Sequence, residues 1–249
     1  MSAQIVPDSQ WKAPATLDSK ESMKRVQDII GDFDPDHTMK YYDYWSQHYE
    51  KDLEVLDYTV PDEIVDGLLK FVPNEKWRES GFQVLDIGLG TGQMAIALHK
   101  KTGYSGPIDG VDGNEKMMEK ARVKGMYRDL KLHLLMEDSP MPNESNKYDV
   151  VVCCCAMVPG LIQPECLPDM VRVVKPGGYF FFTTRSTDGN QGFKNRVDNQ
   201  IKKLQDSGHV RELMTKIVPQ YSWPTAEDKS EKQCISAILY GMEKLKATE

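Results

Sequence analysis

Three glycines, Gly88, Gly90 and Gly92, follow the apolar run Val84-Leu85-Asp86-Ile87. Glycine lets a backbone take torsions other residues avoid and lets a ligand come close. A helix that begins just beyond such a turn offers N–H groups without intrahelical partners. Asp112 closes the next apolar run, twenty residues past Gly92, and an acid at about that distance is where the hydroxyls of a ribose are held. Asp138, with Ser139 beside it, follows a third apolar run and is placed to hold the edge of a base. A glycine turn alone is weak evidence, and each acid alone could be a helix cap or loop residue. Together they describe a nucleoside site.

The glycine spacing disfavours the commonest nucleoside ligand of such turns, NAD, and with it an NAD-dependent oxidoreductase. A dinucleotide fingerprint reads G-x-G-x-x-G, whereas here the pattern is G-x-G-x-G and Gln93 stands where the third glycine belongs. Asp86, directly ahead of the glycines, would repel a pyrophosphate and suits an ammonium group. A ligand with a ribose, a base and an amino-acid end therefore fits better than NAD.

These residues need strands and helices to position them, and the chain supplies both in alternation. Residues 1–36 are polar and carry Pro7, Pro14 and Pro35; the expectation is a flexible arm with at most a short helix around Met23–Ile30. Residues 37–249 read as one domain. An aromatic-rich helix is expected from Tyr41 to about Leu56, and a second from Pro61, where proline suits a first helical position, to Phe71. Strands are expected over Phe82–Ile87, Ile108–Val111, Leu130–Met136, Tyr148–Cys155 and Tyr179–Thr184. Between them lie helices lined by Met94, Ala97 and Leu98, by Met117 and Ala121, and by Leu167–Val174. The tail reads as helical near 191–206 and 210–218, with a late strand Cys234–Tyr240. Such alternation predicts a doubly wound, mainly parallel sheet. A sheet of this kind places its ligand at the carboxyl ends of the strands, where strand order reverses.

Composition narrows the partners. With 31 Lys and Arg against 38 Asp and Glu, the formal net charge is −7, which argues against a broad nucleic-acid face. No apolar run approaches the ~20 residues of a membrane span, and the polar N-terminus is not a secretory leader. A cytoplasmic protein is expected, with the nucleus an open alternative. Cys153, Cys154 and Cys155 are consecutive, Cys166 and Cys234 are separate, and none has metal-binding spacing, so no metal site is expected.

The segment Val84–Gly92 resembles the first motif of the class I S-adenosylmethionine methyltransferases. Asp112 matches their ribose-binding acid, Asp138-Ser139 their adenine-side motif, and Lys175-Pro176-Gly177-Gly178 the turn before their fifth strand. The likeness covers residues 80–185, and the motifs are specific as a group. A narrower resemblance, to the methyltransferase-like family of the Williams–Beuren syndrome region, extends over about residues 41–225. It rests on Tyr42-Asp43-Tyr44-Trp45, Tyr49-Glu50-Lys51-Asp52, Gly110-Val111-Asp112-Gly113, Thr183-Thr184-Arg185-Ser186 and the stretch from Phe193 to Gly208. One departure is Leu89, where many members of the wider class carry cysteine.

The resemblance implies a seven-stranded sheet of the Rossmann-like methyltransferase fold with an N-terminal helical lid, and S-adenosyl-L-methionine as cofactor. Gly88, Gly90 and Gly92 would surround its methionine part, and Asp86 its ammonium. Asp112 would take the ribose hydroxyls, Asn114 and Met117 would flank ribose and adenine, and Cys155 and Ala156 would lie beside the sulfonium. Tyr41, Tyr44 and Tyr49 would form a helical lid or, equally, a core stripe. No general base declares itself; Tyr44, His48 and Arg185 are the catalytic candidates, Arg185 through a planar fork suited to a carboxylate. The acceptor is expected to be a small metabolite, with a protein side chain or a catalytically silent binding module as alternatives. Nucleic-acid methylation is disfavoured, since Cys155-Ala156-Met157-Val158 does not resemble the Asn/Asp-Pro-Pro-Tyr signature. Oligomeric state is not legible.

Overall fold

Residues 4–5, 12–30, 34–226 and 231–246 are described by the computed structural model. The chain enters through a two-residue strand, β1 (Gln4–Ile5), and four helices: α1 (Leu17–Asp28), α2 (Pro35–Trp45), α3 (Tyr49–Val55) and α4 (Val60–Leu68). The part of the expected arm that covers residues 17–28 is thus a helix, begun by Thr16, whose hydroxyl accepts the N–H of Ser19 at 3.2 Å. The helix stays in place because Met23 and Val26 bury themselves beside Trp45, Leu53, Trp223 and Ile235. Residues 1–3, 6–11 and 31–33 of that arm lie outside the described residues.

The helix expected over Tyr41–Leu56 is two helices. Asp34 caps the first by accepting the N–H of His37 at 2.9 Å, with Pro35 in the first turn, and a turn at Ser46–His48 separates it from α3. A buried polar hub sets the angle between them. Asp52, which has no exposed surface, accepts from Ser22 Oγ at 2.8 Å, from Arg25 Nε and Nη2 at 2.7 Å each, and from Trp45 Nε1 at 2.7 Å. Burial works to raise this carboxyl, and the bonds from Arg25, Trp45 and Ser22 outweigh it, so the group lies below the usual carboxylate range.

Beyond α4 the chain alternates as expected: β2 (Val84–Ile87), α5 (Gln93–Thr102), β3 (Ile108–Asp112), α6 (Glu115–Arg122), β4 (Asp129–Leu132), β5 (Tyr148–Cys153), α7 (Leu167–Arg172) and β6 (Val174–Ser186). The tail adds α8 (Gln191–Asp206), β7 (Val210–Pro224) and β8 (Lys232–Lys244). Seven strands run in the order β4-β3-β2-β5-β6-β8-β7, and β1 pairs with the start of β8. From β4 to β6 every pairing is parallel, while β8 is antiparallel to β6 and β7. The doubly wound seven-stranded sheet is therefore present, with its reversal of order between β2 and β5. No helix among the described residues is long and apolar enough to cross a membrane.

Two elements differ from expectation. Residues 210–218 form a strand rather than a helix. Val210, Leu213, Met214, Ile217 and Val218 recur at helical spacing, but bulges between Glu212 and Met214 and between Pro219 and Tyr221 shift the register against β8. An inserted residue flips the faces of a strand, so the spacing of two is erased. The third parallel strand also ends early, at Leu132 instead of Met136, because its pairing with β3 stops where Asp112 faces Leu132.

Candidate active site

The turn after β2 is shaped by its glycines. Gly88 has φ +66°, and a Cβ there would lie 2.4 Å from that of Ala156. Gly90 has φ +54°, and its N–H donates to Asp112 Oδ2 at 2.8 Å. Gly92, φ +88°, precedes α5 under the ring of Tyr127, so it packs against α6 and does not face the ligand. Leu89 likewise packs with Met118 and Ala121.

Asp112 uses both oxygens on backbone. Oδ2 takes Gly90, and Oδ1 takes the N–H of Asn114 at 2.8 Å. Each oxygen keeps a further acceptor site. Burial raises this carboxyl, and the backbone donors counter part of the effect. Asp86 is fully buried at the end of β2, where Oδ2 accepts from Tyr127 at 2.6 Å and Oδ1 has no partner. Burial pushes its carboxyl up to about 7.

A cleft with about 650 Å3 of space between atoms, part of it open to solvent, lies over these strand ends. Its walls include Tyr42, Tyr49, Gly88, Gly90, Asp112, Asn114, Met117, Cys155 and Ala156. A smaller recess shares Tyr49, Gly88, Gly90 and Cys154 with it and holds Asp86 and Tyr58. Nine sequence-predicted residues are thus brought together: Tyr49, Asp86, Gly88, Gly90, Asp112, Asn114, Met117, Cys155 and Ala156. Asn114 lines the wall but its amide is committed. Oδ1 caps α6 through Met117 N at 3.0 Å, and Nδ2 donates to Met39 O at 3.1 Å and Asp43 Oδ1 at 2.9 Å. Cys155 has φ +56°, uncommon for a residue with a Cβ, and is held there by its N–H bond to Thr183 Oγ1 at 2.9 Å.

Other expected residues stand elsewhere. Asp138 is exposed, and with Ser139 it lies in the turn Met136–Ser139, past the cleft. With β4 ending at Leu132, the residues that reach the base side are His133, Leu134 and Leu135. Tyr41 turns away, and its hydroxyl donates to Arg25 O at 2.7 Å; Tyr42 faces the cleft in its place. Tyr44 is 55% exposed, and His48, also exposed, lies against its ring at 5.8 Å, so neither candidate catalytic residue reaches the cleft. The phase of α2 explains this. The Trp45 bond to Asp52 points that face inward and turns Tyr44 out. Arg185, near the end of β6, is buried and is not among the residues that line the cleft or the recess.

The lid helices are tied across the cleft. Besides the Asn114–Asp43 bond, Glu50 of α3 pairs with Lys124, which also donates to Thr91 O in the glycine turn at 2.7 Å. The buried hydroxyl of Tyr58 lies 3.2 Å from Cys154 Sγ. No hydrogen bond holds the hydroxyls of Tyr42, Tyr49 or Tyr221 among the described residues.

The order 4-3-2-5-6-8-7 with the penultimate strand reversed, a glycine turn at the switch point and an acid at the end of the neighbouring strand define the class I methyltransferase architecture. Residues 84–178 match the family model described as a methyltransferase domain. Methyltransferase-like protein 27 of Homo sapiens is 30% identical over 188 residues, spanning 76% of this chain and 74% of that protein. Demethylmenaquinone methyltransferase of Bacillus subtilis (strain 168) is 27% identical over 172 residues, spanning 64% of this chain and 72% of that protein. The crystal structure of a candidate S-adenosylmethionine-dependent methyltransferase from Listeria monocytogenes shares the fold, with a TM-score of 0.51 at 16% identity over 73% of this chain and 97% of that one. The chain belongs to the family of methyltransferase-like protein 27, among the S-adenosylmethionine-dependent methyltransferases.

The cleft fits that cofactor. Buried Asp86 Oδ1 lacks the donor that an ammonium group would supply. Asp112 has acceptor capacity left for a diol, and Gly88 and Gly90 line the cleft with backbone alone.

Proposed function

We propose that this methyltransferase acts on a small-molecule acceptor held between the lid tyrosines and the end of β5. The observation that carries the reading is the tethered lid. With α2 joined to α6 through Asp43 and Asn114, and α3 joined to the glycine turn through Glu50 and Lys124, the cleft admits a compact molecule more readily than a folded protein segment. The Bacillus subtilis relative, named for a methyltransferase of demethylmenaquinone, supports the same class of acceptor. Free thiols at Cys153, Cys154 and Cys155 suit a cytoplasmic setting.

The residue roles follow from position. Asp86 would hold the cofactor's ammonium, Asp112 its ribose hydroxyls, and Met117 with His133–Leu135 the base. When bound, the cofactor supplies an electrophilic methyl group on a sulfonium. The chemistry it would supply is methylation of an acceptor lone pair, with the carbon–sulfur pair left on sulfur. Burial pushes Tyr42, Tyr49, Tyr58 and Tyr221 above the ordinary tyrosine range. They therefore stay protonated and donate hydrogen bonds; they do not act as bases. Their contribution is to exclude water and orient the acceptor, and alignment of two reactants in a dry site can lower a barrier by about 7 kcal/mol or more.

Incubating the protein with a metabolite extract and methyl-labelled S-adenosylmethionine tests this reading. Label is expected in the low-molecular-weight fraction. Label confined to protein would overturn it.

A further inference from the structure

Arg185 is a buried cation without a partner among the described residues. It is 8% exposed, no carboxylate pairs with its guanidinium among the described residues, and its Nε is buried with no acceptor. It projects from β6 two positions after Thr183, hence on the same face, and Thr183 faces Cys155. Its charge reaches the hydroxyls of Tyr42 and Tyr221 and the thiol of Cys155. Those two hydroxyls are themselves free of hydrogen bonds. Guanidinium and neutral phenols are donors, and among the described residues no acceptor group answers them. An unmet cluster of this kind is costly to keep, so it marks a place where a ligand supplies the acceptor.

We propose that Arg185 anchors the carboxylate of the methyl acceptor, which is therefore a small organic acid. This rests on the small-molecule reading above and names its substrate class. The planar fork of arginine matches a carboxylate's two oxygens, and Tyr42 and Tyr221 supply further donors. The ammonium site at Asp86 lies on β2, two strands from β6 in the order β2-β5-β6. At about 4.8 Å per strand, Arg185 is roughly 10 Å from the amino-acid end of the cofactor, on the far side of Cys155. The anion it awaits is consequently the acceptor's and not the cofactor's. Tyr42 lines the same cleft as Asp112, and the charge of Arg185 also reaches its hydroxyl.

The test uses full-length protein saturated with S-adenosylhomocysteine, with acetate, benzoate and phenylacetate compared against their amides by thermal shift, and phenyl phosphate in parallel. The carboxylates are expected to raise the melting temperature and the amides are not. The effect should vanish in Arg185→Met and survive in part in Arg185→Lys. Unliganded Arg185→Met should melt higher than wild type, by about 2–4 °C, because it removes an uncompensated charge; a structural arginine would give the opposite shift. S-adenosylhomocysteine should bind the variant within twofold of wild type. Equal shifts with amides, a response to phenyl phosphate alone, carboxylate shifts that persist in Arg185→Met, or a tenfold loss of S-adenosylhomocysteine affinity in that variant would each overturn the proposal. Failure of wild type to bind S-adenosylhomocysteine would be a different failure, that of the methyltransferase reading itself.

Discussion

The backbone N–H of Gly90 donates to Asp112 Oδ2 across 2.8 Å, so the glycine turn proposed to carry the cofactor's methionine end and the acid proposed to hold its ribose are one unit. The second oxygen of Asp112 secures Asn114 N, and through the amide of Asn114 the unit continues to α2. Cofactor contacts at any one of these points are felt at the others.

Replacing Asp112 with Ala should weaken S-adenosylhomocysteine binding by about 1–3 kcal/mol, the loss of hydrogen bonds to a charged group. The structure adds a second effect. Two backbone donors lose their acceptor, so the unliganded protein should also lose about 1–2 kcal/mol of stability. Asp112→Asn keeps one acceptor oxygen and should recover most of the stability without the affinity. Calorimetry and denaturant unfolding of both variants measure the two effects separately. Wild-type affinity in Asp112→Ala would remove Asp112 from the cofactor site.

Asp86 gives a pH dependence with a defined sign. Its carboxyl, pushed up to about 7 by burial, binds a proton more tightly in the folded than in the unfolded chain. Stability from this group is full below about pH 4 and is lost as pH rises through 7. The difference between wild type and Asp86→Asn should show this slope, at most about 1.4 kcal/mol per pH unit. Cofactor affinity should move the other way, rising through pH 7 as the carboxylate forms to meet the ammonium. A wild-type affinity that stays flat from pH 6 to 8 would contradict the assignment.

The Asp52 hub predicts how the lid fails. Removing the carboxylate in Asp52→Ala leaves Arg25 and Trp45 Nε1 without their partner, and breaking a buried pair costs about 3–5 kcal/mol. Because Ser22, Arg25, Trp45 and Asp52 join α1, α2 and α3, hydrogen exchange should accelerate first in those helices and only later in β2 and β5. Uniform acceleration throughout the chain would show that the hub does not form a separate cooperative unit.

What the sequence disclosed was what local spacing encodes. Gly88, Gly90 and Asp112 belong to adjacent strand ends, so their separation along the chain fixes their meeting in space. Asp138 was misplaced because Leu130 to Met136 is one unbroken apolar stretch apart from Lys131 and His133, and nothing local marks Leu132 as the last paired residue. Residues 210–218 read as helical because the bulge between Glu212 and Met214 scrambles an alternation that a regular strand would show. The hub was illegible for a different reason. Arg25 and Asp52 are 27 positions apart, in segments that read as polar surface, and only packing makes them a buried pair. Tyr42 and Tyr41 differ by one position on a helix whose phase is set by that hub, and periodicity alone gave no way to choose between them.

Glu50 and Lys124 are expected to make the lid a gate to the proposed cofactor cleft. Lys124 joins Glu50 on α3 to Thr91 O in the glycine turn, while Asn114 holds Asp43 on α2. Both ties cross the cleft, and lids of this sort move on microsecond-to-millisecond timescales. Exchange over residues 38–56 should therefore slow when S-adenosylhomocysteine is added. Glu50→Ala should raise its dissociation rate several-fold while leaving the melting temperature within about 2 °C, since an exposed ion pair is worth about 0–1 kcal/mol. Deleting residues 1–52 is a harsher experiment. It uncovers Tyr221, Trp223 and Ile235, all buried against the N-terminal helices, so a destabilised, aggregating product is expected in place of a competent core. Maximal protection of residues 38–56 without ligand, together with an unchanged dissociation rate in Glu50→Ala, would make Tyr42 and Tyr49 part of a permanent wall and assign cofactor entry to the side lined by His133–Leu135.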